Sequence, residues 1–408
     1  MNDAQFAELV AWTSEAGLAG HTETAILTGF CERAVHFGLP IARAIVLADT
    51  LHPIYEGRAF RWNRDKETTV LTEYGRSDED LGRWQRSPFF HLDQTGEALI
   101  RRRLTPESQD EFAIFAELIE AGMTDYLAMV NRFASEAIIG DMDGIYSSWA
   151  TNAPAGFKDT DLADLRRLAP LLALTVKSAS LARIAETIVE TYLGRDAGRR
   201  VLKGRIARGI TDQIEAVLWS SDLHSYTRIS DTADPGEIIP LLNEYAGAII
   251  STIYDQGGDV LKLIGDGVLA IFTVEDRTRA CEAALAAARA AFKSVAEVNR
   301  SRAAANLPTT DMYLGLHIGE VFYGNIGSED RLDFTVIGPA VNEATRIAAL
   351  CHSVDQPLLV SSAFAAALGS SHNHLVSVGR YALRGVGRPQ DLYTLDPEGL
   401  PLRLDYEI

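Results

Sequence analysis

Ala216-Val-Leu-Trp-Ser-Ser-Asp222, then Gly257-Gly-Asp-Val-Leu-Lys-Leu-Ile-Gly-Asp266-Gly267 and Val268-Leu-Ala-Ile-Phe272, are the runs whose reading decides the fold. The first is an apolar strand that ends on a carboxylate. The second is a strand that enters a glycine-flanked turn, and the third is the strand that leaves it. Such a hairpin beside such a strand sets Asp222 and Asp266 at one end of a sheet. Carboxylate oxygens in that position suit a divalent cation held against phosphates. A helix expected to begin after Leu223 would add unpaired backbone N–H groups aimed at an anion. On spacing alone the bland reading stays open, because acids at strand ends are often simply solvated.

Outward from this core, Lys262 lies four positions before Asp266 and, by two-residue alternation, on the same side of its strand. A lysine there can donate to a base or neutralise phosphate. Gly315-Leu-His-Ile-Gly-Glu-Val-Phe-Tyr-Gly-Asn-Ile-Gly327 reads as a pair of apolar strands turning at Gly319-Glu320. In Leu332-Asp-Phe-Thr-Val-Ile-Gly-Pro-Ala-Val-Asn-Glu-Ala-Thr-Arg346, the four-residue spacing of Asn342 and Arg346 puts an amide and a guanidinium on one helix face. Pro357 to Phe364 reads as strand then helix, and Leu375–Leu383 with Asp391–Leu395 as closing strands. Arg279–Ala291 reads as a packing helix with Cys281 buried and inert. His317 and Tyr323 read as framework residues, and His224 as a neighbour of the metal turn without a catalytic role.

Together these elements resemble the class III adenylate and guanylate cyclase family over about residues 212 to 396. The resemblance implies a ferredoxin-like catalytic domain that converts a nucleoside triphosphate into a 3',5'-cyclic monophosphate and pyrophosphate. It implies that Asp222 and Asp266 are the metal aspartates, holding two divalent ions, Mg2+ or Mn2+. Lys262 would read adenine, Asn342 and Arg346 would serve the transition state, and Arg384 in Ala382-Leu-Arg-Gly-Val-Gly387 would contact the terminal phosphates. The second base-reading position, commonly aspartate, is Thr335, as in a threonine-bearing adenylate cyclase subgroup. Where many members have Gly-Asp, this chain has Gly338-Pro339. Lys262 donating to adenine N1 and Thr335 accepting from the N6 amine favour ATP over GTP. The family draws the metal acids from one subunit and the Asn-Arg pair from the other, so a single chain carrying one copy of each implies a homodimer with composite sites. The alternatives are a guanylate cyclase and a catalytically inactive nucleotide-binding module. Gly257-Gly-Asp259 superficially matches dinucleotide cyclases, but the glutamate that motif needs is Val260 here.

The N-terminal part has a different texture. Helices are expected over Phe6–Leu18 and Thr22–Phe37, and strands over Ala42–Asp49, Gly57–Trp62, Thr68–Leu71, Asp125–Arg132, Glu136–Ile139 and Gly144–Ala150. Between them, Phe112–Ala121 reads as a helix and Arg83-Trp-Gln-Arg-Ser-Pro-Phe-Phe-His91 as a loop packed by its aromatics. A long helix is expected to start within Phe157-Lys-Asp-Thr-Asp161. This order resembles a GAF-like sensory domain, which implies an unidentified small-molecule or other signal input. His21, His36, His52 and His91 lack ligand spacing and read as structural or exposed. The expected organisation is a regulatory domain at 1–180, a helical linker at 181–210 interrupted by Gly194 and Gly198, and a catalytic domain at 211–408, giving an α/β and α+β chain.

Bulk properties bound the alternatives. At 408 residues and 47% apolar content the chain can bury more than one core. A net charge of -18 argues against nucleic-acid partners but leaves room for a small nucleotide site. Three widely spaced cysteines, Cys31, Cys281 and Cys351, fit a reducing compartment. No basic n-region or long uncharged apolar run is evident, so neither a signal peptide nor a membrane span is expected, and a cytoplasmic location is.

Overall fold

The computed structural model describes residues 1–66, 69–369 and 374–396. The chain divides into two compact units, Met1–Ile188 and Val189–Ile408.

The first unit is a six-stranded antiparallel sheet between two helical layers. Its elements are α1 (Asp3–Leu18), α2 (Glu23–His36), β1 (Arg43–Asp49), β2 (Gly57–Asn63), β3 (Val70–Tyr74), α3 (Asp78–Gln85), α4 (Pro88–Thr95), β4 (Leu99–Arg103), α5 (Ala113–Glu120), β5 (Asp125–Arg132), β6 (Gly144–Thr151) and α6 (Asp159–Leu193). The strand order is β3-β2-β1-β6-β5-β4. Both faces of β1 are buried, and its alternation assigns them: Ala44, Val46 and Ala48 join a core with α1, α2 and α6, while Ile45 and Leu47 join one with α4 and α5. Asp125, buried at the start of β5, ties the sheet to the chain leading into α6 by accepting from Arg101 and from the Phe157 backbone N–H at 3.0 Å. Helix α6 is long and apolar enough, by length and composition, to cross a membrane. Its Leu165, Leu168, Leu172 and Val176 are packed into the core of this unit.

Three expectations change here. Arg83–His91 is not a loop but the end of α3 and the start of α4. Ser77 caps α3, and Ser87 with Pro88 at the first helical position starts α4, both ordinary helix-start signals. Strand β4 was not anticipated. Glu136–Ile139 is not a strand but a 3-10 turn at Ser135–Ala137 with a single bridge from Ile139 to Met142; Ile138 and Ile139 are exposed, with no neighbouring strand to cover them. The expected strand at Thr68–Leu71 starts at a position outside the described residues, and β3 begins at Val70.

The second unit contains α7 (Arg195–Leu202), β7 (Thr211–Leu223), α8 (Tyr226–Thr232), α9 (Pro235–Asp255), β8 (Asp259–Ile264), β9 (Gly267–Thr273), α10 (Arg277–Ala304), β10 (Met312–Gly327), β11 (Leu332–Ile337), α11 (Pro339–Val354), β12 (Leu358–Ser361), α12 (Ser362–Ala367), β13 (Leu375–Tyr381) and β14 (Gln390–Leu395). The sheet runs β13-β14-β12-β10-β7-β9-β8, with β11 paired to the far half of β10. Central strand β7 is buried on both faces. Val217 and Trp219 meet α9 and α10, and Ala216 and Leu218 meet α7 and α11. Residues 397–408 of the expected catalytic region lie outside the described residues.

Gly315–Gly327 is one continuous strand rather than a hairpin turning at Gly319-Glu320. Gly319 and Glu320 pair straight across to Ala216 and Glu215 of β7. Gly319 serves close packing instead, since a Cβ there would sit 2.8 Å from the Ala340 Cβ. Gly194, at φ 89°, separates α6 from α7, and Asp259 at the head of β8 accepts from the backbone N–H groups of Arg195 and Asp196 that open α7.

Candidate active site

The β8–β9 hairpin closes in two residues, Gly265 and Asp266, with Gly265 at φ 63° as a primed turn requires. This turn lies beside the end of β7, where Asp222 and Leu223 complete the strand. The Leu223 backbone N–H lies 3.2 Å from Asp222 Oδ1 and 3.2 Å from Asp266 Oδ2, so one donor serves both carboxylates. Gly267 permits this approach: a Cβ on it would be 2.7 Å from the Ser221 carbonyl oxygen and 3.6 Å from Asp222 Oδ1. Burial, then the hydrogen bond with Asp266 and its charge, push the Asp222 carboxyl up to about 7, against the opposing pull of the Leu223 N–H. Among the described residues neither acid has a cationic side chain within 4 Å.

Two adjacent, uncompensated carboxylates form a hard oxygen donor set that fits Mg2+ or Mn2+. They do not make a full cage. Among the described residues no group of three or more His, Cys, Asp or Glu side chains converges on one point, so the remaining ligands would have to come from substrate or water.

Lys262 on β8 is ion-paired to Asp333 on β11, joining two strands that are not neighbours in the sheet. Thr335 is two residues beyond Asp333, hence on the same face of β11, and is 7% exposed. Asp333 was not singled out from the sequence. It stands in the same run as Thr335, but nothing local marks it as the lysine's partner.

Asn342 and Arg346 lie on α11, which begins with Pro339 at its first position after Gly338. The Gly338-Pro339 departure is therefore a helix start. Asn342 is exposed and Arg346 half-buried, and neither side chain has a hydrogen-bond or ion-pair partner among the described residues. Arg346 abuts the loop after Leu383: a Cβ on Gly385 would be 2.8 Å from its Nη1. Arg384 in that loop is exposed. The structure thus gathers Asp222 with Asp266, Lys262 with the Thr335 strand, and Arg346 with the Arg384 loop. No hydrogen bond or ion pair among the described residues joins the metal-suited acids to Asn342, Arg346 or Arg384.

What seats α11 was also missed. Gly315, His317 and Gly319 alternate onto the face of β10 beneath it, and a Cβ on Gly315 would fall 2.5 Å from the Ala348 backbone nitrogen. Between the two glycines, His317 is 6% exposed. Its Nδ1 is 2.8 Å from Ser361 Oγ and its Nε2 3.6 Å from Glu343, which accepts from Gln390 at 2.6 Å. Burial lowers the His317 pKa, against the opposing pull of Glu343. His224 packs edge-on against Tyr313, which stands opposite Asp222 in the β7–β10 ladder. Cys31, Cys281 and Cys351 are all buried and unpaired, and burial pushes the Cys281 thiol up to about 12.

Residues 211–396 match the family model described as the adenylate and guanylate cyclase catalytic domain. An uncharacterised protein of Mycobacterium tuberculosis is 31% identical over 210 residues, covering 50% of this chain and 36% of its own length. An adenylate cyclase of Anabaena cylindrica is 34% identical over 140 residues, covering 34% of this chain and 28% of its own. The chain thus spans well under half the length of these relatives. Among solved structures, the adenylyl cyclase CyaB of P. aeruginosa aligns over 48% of this chain and all of its own, at 22% identity and a TM-score of 0.43.

Proposed function

We propose, on the match of residues 211–396 to the adenylate and guanylate cyclase catalytic domain, that the chain is an adenylate cyclase making 3',5'-cyclic AMP and pyrophosphate from ATP. The observation that carries the reading is the uncompensated Asp222–Asp266 pair gathered at the end of β7. Two divalent cations, when bound there, supply charge compensation for the triphosphate and acidify the ribose 3'-hydroxyl. Asp222 and Asp266 hold that charge at the strand end. Arg346, free of any protein counter-ion among the described residues, meets the charge developing on the α-phosphoryl group, and Asn342 on the same helix orients the ribose. Lys262 and Thr335 read the base, and Arg384 contacts the terminal phosphates.

One copy each of the metal-suited acids and of the Asn342–Arg346 pair in a single chain supports composite sites in a two-fold homodimer. The antiparallel sheet and flanking helices of residues 1–180 support a GAF-like regulatory domain, joined through a helical linker at 181–210 to a catalytic domain at 211–408 of ferredoxin-like type. A cytoplasmic setting fits this arrangement.

One observation favours a second reading. The Asp333 carboxylate beside Lys262 could accept from guanine N1–H and N2, which would make the enzyme a guanylate cyclase. The test is to incubate the purified chain with equal ATP and GTP plus magnesium or manganese, and to identify cyclic products by mass. Cyclic AMP as the main product supports the proposal, predominant cyclic GMP selects the second reading, and no cyclic product under any metal or pH leaves a nucleotide-binding module without turnover.

A further inference from the structure

The first unit holds a half-open cavity of about 440 Å3 between one face of its sheet and helices α3 to α5. Leu47, Ala59 and Tyr126 lie on the sheet side, with Trp84 and Phe89 opposite. Ile45, Leu47 and Asp49 alternate along β1 onto this same face, so an apolar floor ends at a carboxylate.

That carboxylate has no hydrogen bond or ion pair among the described residues. The acids Asp143, Asp141, Glu56 and Asp93 act on its charge, and Asp80, Arg61, Arg83 and Arg86 also line the cavity. Arg132 engages Asp143 at 3.0 Å and Asp93 at 3.5 Å, and Arg76 engages Glu56 at 3.0 Å. Among the described residues Asp49 and Asp141 form no ion pair. Asp49, Trp84 and Asp141 also line an adjoining pocket, and in its wall the Tyr146 ring stands edge to face with Trp84, 5.7 Å apart. A carboxylate flanked by aromatic rings at the end of an apolar chamber is the arrangement that recognises an ammonium group. The arginines that also line the cavity are engaged elsewhere, Arg61 with Thr72 and Tyr74, Arg83 with Glu79 and Arg86 with the Gly82 carbonyl.

We propose that this cavity binds an organic amine, with its ammonium against Asp49 beside Trp84 and Tyr146 and its apolar or aromatic body along the Leu47–Phe89 chamber. The proposal assigns a ligand class to the sensory role proposed for residues 1–180, and its test reads binding alone, so it can fail without touching cyclase turnover. Burial and the surrounding acids hold the Asp49 carboxyl at about 7, so an arriving ammonium would displace its proton near neutral pH.

The experiment is calorimetric titration of the full chain with three probes of one shape: tryptamine, tryptophol, in which a hydroxyl replaces the amine, and indole-3-propionate. Tryptamine is expected to bind at least ~10-fold tighter than tryptophol, a difference of about 1.4 kcal/mol, and indole-3-propionate more weakly than either. Asp49→Asn should bring tryptamine down to the tryptophol level while leaving tryptophol unchanged. In wild-type protein at pH 6.5, the tryptamine heat should vary with buffer ionisation enthalpy as a proton is released, a readout that needs no variant to fold. Equal binding of tryptamine and tryptophol, binding of none of the three, or an amine preference that survives in Asp49→Asn would each overturn the proposal.

Discussion

The Lys262 ammonium is held by the Asp333 carboxylate, two residues before Thr335 on the same face of β11. On the proposed base-reading role of Lys262, this pair would set where the lysine presents its protons. It is partly exposed, at 31% and 52%, so it contributes little to stability. Asp333→Asn should therefore leave the melting temperature nearly unchanged while altering base discrimination. The ATP-to-GTP ratio of kcat/KM is expected to shift by about 5- to 10-fold, worth about 1 to 1.4 kcal/mol. A variant with unchanged discrimination would show that the pair does not bear on the base.

The shared donor at Leu223 brings Asp222 and Asp266 together without a counter-cation. Asp222→Asn or Asp266→Asn should lower kcat by about 100-fold or more with a smaller change in KM, as for loss of a charge-stabilising group. The same substitutions remove like-charge repulsion, so in metal-free buffer at pH 8 the melting temperature should hold or rise. Steady-state kinetics paired with a thermal melt separates this from a folding defect, which would lower both.

Helix α11 rests on Gly315, His317 and Gly319, and its bearing aims Asn342 and Arg346. Gly315→Ala would force a methyl to within 2.5 Å of the Ala348 nitrogen. Such overpacking typically costs about 1–3 kcal/mol, and kcat should fall with it. Glu343→Gln is the gentler probe. It keeps the size and polarity of the side chain but removes the charge opposite His317 Nε2. The expectation is a several-fold drop in kcat with KM for ATP preserved; an unchanged kcat would remove Glu343 from the positioning of this helix.

Asp49 carries a pH signature. Its carboxyl titrates at about 7 in the folded chain against an ordinary value of 3.8, so the folded state binds the proton more tightly than the unfolded one. The resulting stabilisation is complete below pH 4 and is lost as pH rises through 7. Thermal melts of wild type should show this loss between pH 4 and 8. Asp49→Asn should flatten the slope and melt higher than wild type at pH 8. A wild-type slope that survives in the variant would assign it to another group.

Much of the candidate site's local geometry was legible because local chemistry dictates it. Gly265-Asp266-Gly267 can close a two-residue turn, and Gly338-Pro339 can start the helix on which Asn342 and Arg346 share a face. The serines before α3 and α4 carried the same kind of signal, but aromatics and arginines in between masked it. Gly319 failed as a turn marker because a glycine that bends a chain and one that admits a helix are the same letter in sequence.

Residue type and short-range spacing by themselves determined where carboxylates, an amide and a guanidinium sit on their strands, turn and helix, since those positions depend on hydrogen bonds within a few residues. Only the tertiary structure decided that Lys262 faces Asp333, that His317 and Glu343 meet under α11, and that Asp49 ends a largely apolar cavity without an ion-pair partner among the described residues. These pairings join strands and helices far apart in the chain, and their energies come from burial and through-space charge, which no local pattern records.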